Sequence, residues 1–256
     1  MIDSVLPPEV SGVSVFGDLS PADGHGLFPA EVATIARSVP KRRAEFTTVR
    51  LCARRALDKL GVPLVPLVPG KRGAVAWPAG VTGSMTHCTG FRAAAVARSD
   101  VAASLGIDAE QNQPLPEGIL EVISLPRERA AIAALARQRP DVHWDRLLFS
   151  AKESVYKTWY PLTRRELDFT DAELQFDLGA STFSARLLAP GPEVAGHRHA
   201  TFSGRWTAGH GFVLTAIVLP AEATRPTAVR PEQSLEFSAT PARIRHAQTA
   251  SQHDTE

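Results

Sequence analysis

Cysteine is nearly absent from the sequence: Cys52 and Cys88 are the two among 256 residues, and they form no Cys-x-x-Cys pair. That argues against a disulfide framework and against a structural zinc site. Two lone thiols suit a reducing, intracellular compartment. An excess of one charge is missing as well. The 28 Lys and Arg residues are matched by 27 Asp and Glu, which leaves a net charge of +1 and speaks against a dedicated nucleic-acid binder. No apolar run approaches the roughly 20 residues that a membrane-spanning helix needs. No basic segment followed by an apolar run opens the chain, so no signal peptide is expected. The expected setting is soluble and cytoplasmic, with neither membrane nor nucleic acid as a partner.

Ordinary apolar content leaves enough material for a packed core. Up to Pro40 the pattern reads as a strand or two with loops. In KRRAEFTTVRLCARRALDKLG, Phe46, Val49, Ala53, Ala56 and Leu60 recur at helical spacing, and Gly61 suits a helix end. The Pro- and Gly-bearing segment 62–83 reads as loop. GSMTHCTGFRAAAVARS reads as strand, turn and strand with Thr89-Gly90 in the turn, and SLGIDAE as a short strand. The segment from Ile119 to Gln138 reads as a helix interrupted near Pro126. In HWDRLLFSAKESVYKTWYP, Trp144, Leu147, Leu148, Ala151, Val155 and Trp159 make one apolar stripe, and Pro161 is expected to end the helix. Antiparallel strands are expected from there to Pro220. The tail 221–256, rich in Ala, Thr, Pro, Arg, Gln and His, is expected not to pack. GFRAAAVA from Gly90 and GFVLTAIV from Gly211 echo each other, as two similar halves would, or as two unrelated hairpin strands would.

Several residues could carry chemistry. Asp108 and Glu110 in GIDAE fall two apart in a strand, so both side chains take one face. Two such carboxylates repel unless a cation sits between them, and magnesium accepts carboxylates while leaving positions open for phosphate oxygens. A solvated acidic edge strand has the same spacing, and Asp-x-Glu alone is a weak signal. Glu153 and Lys157 share a helix face. They read either as an exposed ion pair worth about 0.2–0.5 kcal/mol or, with Lys152, as a carboxylate and two amines arranged for a metal-bound pyrophosphate. Arg43, Arg50 and Arg54 form a basic stripe crowded at its start by Lys41 and Arg42. Aromatic residues for base stacking are scarce there, and a phosphate monoester suits the bidentate guanidinium better. The loop Gly70-Lys71-Arg72-Gly73 adds further cations. His87 stands at a strand end near Ser84 and Thr86, placed for a phosphate contact, although a lone His is more often structural. Cys88 beside it points to the opposite face, which argues against a Cys-His nucleophile pair.

Taken in order, KRRAEFTTVR, WPAGVTGSMTHCTGFRAAAVA, GIDAE and HWDRLLFSAKESVYKTWYPLT resemble the 4′-phosphopantetheinyl transferase superfamily across residues 35–220, and within it the enterobactin synthetase component D type. The resemblance implies an α+β fold of two similar α/β halves in pseudo-twofold arrangement, 1–105 and 106–220, with coenzyme A in the cleft between them. It implies that Asp108, Glu110 and Glu153 bind Mg2+ (or Mn2+), and that Asp108 borders the coenzyme. Glu153 and Lys152 would be catalytic, Glu153 as the base that activates a serine, with Lys152 and Lys157 on the pyrophosphate. Arg42, Arg50 and His87, with Thr86 beside them, would hold the 3′-phosphate and nearby parts of coenzyme A. Arg43 takes the place of Arg42 if the register slips by one. Pro69 stands where relatives often have a lysine, so Lys71 or Arg72 would substitute. The implied reaction moves 4′-phosphopantetheine from coenzyme A to a serine of an apo acyl or peptidyl carrier protein and releases 3′,5′-adenosine bisphosphate. Fatty acid, polyketide or nonribosomal peptide synthases would be activated by a monomeric enzyme. A non-catalytic coenzyme A-binding protein on the same fold is the main rival, and the intact Asp108, Glu110, Lys152 and Glu153 set speaks against it.

Overall fold

The computed structural model describes residues 1–19 and 26–222. All but the first two residues of the tail expected not to pack lie outside them. After a 3₁₀ turn at Ile2–Ser4 come β1 (Ser11–Phe16), α1 (Pro29–Ile35), α2 (Pro40–Lys59), β2 (Val81–Cys88) and β3 (Phe91–Arg98). The second half holds β4 (Ala102–Gln111), α3 (Ile119–Ile123), α4 (Pro126–Gln138), α5 (Trp144–Thr163), β5 (Ala172–Asp177), β6 (Thr182–Leu187), the small hairpin β7 (Glu193–Val194) and β8 (His197–Arg198), β9 (Thr201–Gly209) and β10 (Phe212–Pro220). Helix α1 was not expected from the sequence. The strand β4 spans the 105/106 boundary.

The architecture is α+β. One antiparallel sheet runs β1-β3-β2 and the other β4-β10-β9-β6-β5. Each carries one long helix: α2 lies on the first sheet, and α5 lies on β4 and β10. Helix α2 buries Phe46, Val49, Ala53, Ala56 and Leu57, and α5 buries the stripe from Trp144 to Trp159, as apolar residues at helical spacing require. Pro161 does not end α5; the helix runs on to Thr163 and stops where Arg164 turns left-handed at φ 55°. A proline in the last turn removes only one late hydrogen bond. Beyond it the indole Nε1 of Trp159 donates to the Arg165 carbonyl at 2.9 Å and fastens the exit.

The halves meet along β2 and β4. Strand β4 is an edge strand, and side-chain hydroxyls of β2 take up two of its amides: Ile107 N–H donates to Ser84 Oγ at 3.1 Å and Ala109 N–H to Thr86 Oγ1 at 3.1 Å. Buried amides without such partners would be costly. On the other side α5 approaches β4 at Gly106, where a Cβ would overlap the Ser154 carbonyl oxygen. The glycine of GIDAE is therefore a packing requirement, and it brings Asp108 and Glu153 near one another. Among the described residues no helix is long and apolar enough to cross a membrane.

Candidate active site

A cleft of about 350 Å³ opens between α2, the 69–75 loop, β2 and α5. Helix α2 contributes Arg42, Glu45 and Arg50; the loop contributes Arg72; β2 contributes Ser84, Thr86 and His87; α5 contributes Glu153, Tyr156, Lys157, Tyr160 and Arg164. Both halves thus supply its walls. A larger hollow of about 960 Å³ lies on the outer side of β5, β6 and β9 beside Val5 and Pro7, and none of the sequence-predicted residues lines it.

One side of the cleft is basic. The Arg50 guanidinium carbon sits over the Phe46 ring, 3.2 Å from its centroid, and its Nε donates to the Leu67 carbonyl at 3.2 Å. Burial lowers its pKa to about 10, against the raising effect of Glu31, which still leaves it charged at neutral pH. Arg42 contacts the His87 ring, and both stand near the Glu45 carboxylate, at 3.8 and 3.7 Å. Burial first, then Arg42, holds His87 below its ordinary pKa, so a neutral imidazole faces the cleft. Arg72 enters the cleft as an exposed ion pair with Glu166 at 2.8 Å.

The opposite side carries the acidic group: Glu153 in the lining, with Asp108 and Glu110 of the adjoining β4 outside it. Lys157 bridges it, donating to Asp108 Oδ1 at 2.7 Å and to the Ile107 carbonyl at 3.1 Å. Thr86 Oγ1 also donates to Asp108 Oδ1, at 3.2 Å. Asp108 Oδ2 is buried with no hydrogen-bond partner. Glu110 meets Arg146 at 3.2 Å; burial, and then Asp108, push its carboxyl up to about 7. Glu153 is also pushed above its ordinary value, by burial and, against the effect of Lys157, by Asp108. Among the described residues no hydrogen bond or ion pair takes up the Glu153 carboxylate. Beyond Glu153 a second chamber of about 230 Å³ is lined by Lys152, Val155, Tyr156, Leu167, Asp168, Phe169 and Ala172.

The predicted residues divide clearly. Arg42, Arg50, Arg72, Thr86, His87, Glu153 and Lys157 line the one cleft, Asp108 is tied to it through Thr86 and Lys157, and Glu110 does not line it and pairs with Arg146. Three others point elsewhere. Arg43 turns back to the carbonyls of Ser38, at 2.9 Å, and Ala36, which favours Arg42 in the cleft. Lys71 does not line the cleft; the adjacent Arg72 does. Lys152 departs most from expectation. It is buried, and its ammonium donates to Glu128 at 2.9 Å and to the carbonyls of Phe169 and Ala172 at 2.7 and 2.8 Å. All three of its protons are taken, so it has none left for a pyrophosphate. Successive helical residues point about 100° apart, so Lys152 faces α4 while Glu153 faces the cleft. Arg54, the last member of the basic stripe, is likewise withdrawn into a buried pair with Glu31. Cys88 is pushed up to about 12, by burial first and then by the nearby carboxylates, and is no thiolate nucleophile. Sequence reasoning missed Glu31, Glu45, Glu128 and Arg146. For Glu31 and Glu128 a signal existed: each stands two residues after a proline that follows a large apolar residue.

Two adjoining stretches of the chain match known families. Residues 30–97 match the 4′-phosphopantetheinyl transferase N-terminal domain, and residues 104–207 match the 4′-phosphopantetheinyl transferase superfamily. The chain is 60% identical over 223 residues to the 4′-phosphopantetheinyl transferase Svp of Streptomyces mobaraensis, covering 87% of this chain and 91% of that protein. It is 48% identical over 230 residues to the 4′-phosphopantetheinyl transferase PptT of Mycobacterium tuberculosis, covering 86% and 98%. A shorter match, 34% identical over 150 residues, covers 58% of this chain and 60% of the enterobactin synthase component D of Salmonella typhi. The chain belongs to the 4′-phosphopantetheinyl transferase superfamily.

Proposed function

We infer that this cleft transfers 4′-phosphopantetheine from coenzyme A to a serine of an apo carrier protein, with Glu153 as the base and Lys157 as the cation at the phosphates. The observation that carries this reading is a cleft with a basic wall facing Glu153, whose lining residues Thr86 and Lys157 hold Asp108 by one oxygen and leave its buried Oδ2 without a hydrogen-bond partner. Arg42, Arg50 and His87 suit a phosphate monoester, since guanidinium groups grip phosphate in a bidentate way. The chamber beyond Glu153, where Val155, Leu167 and Phe169 stand beside Lys152 and Asp168, suits a pantetheine arm, which is itself part apolar and part amide.

The donor set fits magnesium. Asp108, Glu110 and Glu153 are hard oxygen donors, and, after burial, Asp108 raises the proton affinity of both glutamates, as a carboxylate does to its neighbours where no cation is shared. Among the described residues no three His, Cys, Asp or Glu side chains already enclose a metal position. Magnesium commonly takes one or two carboxylates and completes its shell with water and substrate phosphates, so the coenzyme would supply the remaining ligands. When bound there, the ion would offset the charge that develops on the phosphoryl oxygens.

In the transfer itself the carrier serine Oγ forms a bond to the β-phosphorus, and the bond from that phosphorus to the bridging oxygen breaks. The serine proton goes to the Glu153 carboxylate, whose raised basicity suits it to that task. The electron pair leaves with 3′,5′-adenosine bisphosphate. Lys157, fixed by Asp108 and the Ile107 carbonyl, sets a positive charge where negative charge accumulates. Intact-mass spectrometry of apo acyl and peptidyl carrier proteins, incubated with coenzyme A, magnesium and the enzyme, tests this. One phosphopantetheine added to a carrier serine is expected, and no mass gain on any carrier would refute it.

A further inference from the structure

The halves share a repeat beyond their sheets and long helices. Phe28-Pro29-Ala30-Glu31 opens α1 and Leu125-Pro126-Arg127-Glu128 opens α4. In each, proline occupies the first helical turn, where its missing N–H leaves nothing unpaired. The glutamate then reaches back to the amide of the apolar residue before the proline, at 2.8 Å for Phe28 and 2.7 Å for Leu125. Its other oxygen takes an amide from far along the chain, Leu67 at 2.8 Å or Leu174 at 2.7 Å. A cation from the long helix of the same half closes each clamp: Arg54 of α2 on Glu31, and Lys152 of α5 on Glu128. None of these four side chains is more than 4% exposed.

Buried ion pairs are poor devices for stability alone, because desolvation offsets most of the attraction. They are good at fixing direction, and here the directions bear on the cleft. Lys152 is held by acceptors on α4, on the 3₁₀ turn before β5 and on β5 itself. That fixes the rotation of α5 and aims the neighbouring Glu153. On the other side Glu31 holds the Leu67 amide, and the Leu67 carbonyl receives Arg50 Nε.

We propose that Glu31 and Glu128 are positioning residues for the transfer, Glu31 setting Arg50 through Leu67 and Glu128 setting Glu153 through Lys152. The proposal rests on the reading of the cleft given above. It requires the two clamps to fail differently. Glu31 serves the wall that grips coenzyme A, and Glu128 serves the group that moves the proton.

Steady-state kinetics of Glu31→Gln and Glu128→Gln, with coenzyme A and with dephospho-coenzyme A, separate these effects. For Glu128→Gln, kcat should fall about 10- to 100-fold, as a small misplacement of a reacting group does. Its KM for coenzyme A should hold, and the acidic limb of its pH–rate profile should shift. For Glu31→Gln, KM for coenzyme A should rise about tenfold or more, the effect of a weakened charged hydrogen bond. Its kcat should hold, and its preference for coenzyme A over dephospho-coenzyme A should shrink. A loosened fold would lower kcat in both variants alike, and that outcome, or no change in either, overturns the proposal. If Glu128→Gln does not fold, Glu128→Asp keeps the charge and withdraws the carboxylate by one methylene; a folded Asp variant with wild-type kcat also overturns it. Glu153→Gln and Arg50→Ala run in the same assay as controls. If both behave as wild type, the reading of the cleft itself fails, and the proposal fails with it. If they behave as expected while the clamp variants show no split, the proposal alone fails.

Discussion

Phe91 and Phe212 meet with ring centroids 5.3 Å apart, each placed directly after a glycine in the left-handed region, Gly90 at φ 85° and Gly211 at φ 79°. The two Gly-Phe turns that open β3 and β10 therefore close on each other where the halves join. Phe16 completes the cluster, 5.5 Å from Phe91 and 5.9 Å from Phe212.

Because Phe91 is fully buried in that contact, Phe91→Ala should destabilise the protein by about 3–5 kcal/mol, the usual penalty for a large aromatic cavity. Thermal melting measures it, and a shift of only a degree or two would mean that the interface collapses around the gap.

Glu110 gives a pH dependence with a defined sign. Its carboxyl is raised to about 7 from an ordinary 4.5, so between those values the folded protein holds a proton that the unfolded chain has released. In chelator, its contribution to stability should therefore fall as pH rises through that window and level off above it. The full span is on the order of 3 kcal/mol. Glu110→Gln should abolish this slope and stabilise the metal-free protein at pH 8. Added magnesium should stabilise wild type more at pH 8 than at pH 6, since binding needs the ionised carboxylate. Melting curves across pH, with and without magnesium, read all three.

Arg50→Ala should weaken coenzyme A far more than dephospho-coenzyme A, which lacks the 3′-phosphate. A lost charged hydrogen bond costs about 1.5–3 kcal/mol. Calorimetry with both ligands decides it; equal weakening would move Arg50 away from that phosphate.

Much of this was legible in the sequence. The stripe from Trp144 to Trp159 marks α5, the spacing within GIDAE places two carboxylates on one strand face, and the Gly-Phe echo is open to a repeat as much as to two unrelated hairpin strands. What escaped depended on where long side chains end. Arg50 and Arg54 lie one turn apart on α2, yet Arg54 turns into Glu31 while Arg50 stays at the cleft. Lys152 and Glu153 are neighbours in the chain, and helical geometry alone sends them to different faces. The partners of Arg54 and Lys152 lie 23 and 24 residues upstream, beyond the reach of local spacing rules. Helix α1 escaped because its seven residues are too few for an apolar period to stand out. Pro161 reads as a stop in the sequence, yet the helix runs past it to Thr163, with the Trp159 indole anchored to the Arg165 carbonyl.

The central claim is that Glu153 acts in phosphoryl transfer, and the pH–rate profile of Glu153→Gln at saturating magnesium and coenzyme A tests it most directly. The isostere keeps the packing of α5 and removes both the negative charge and the basicity. Turnover should fall by about 10²–10⁴-fold with coenzyme A affinity little changed, and the acidic limb seen in wild type should vanish. An unchanged kcat would leave Glu153 with no part in the transfer. Loss of turnover with the acidic limb intact at the same midpoint would assign the proton to another group and contradict Glu153 as the base.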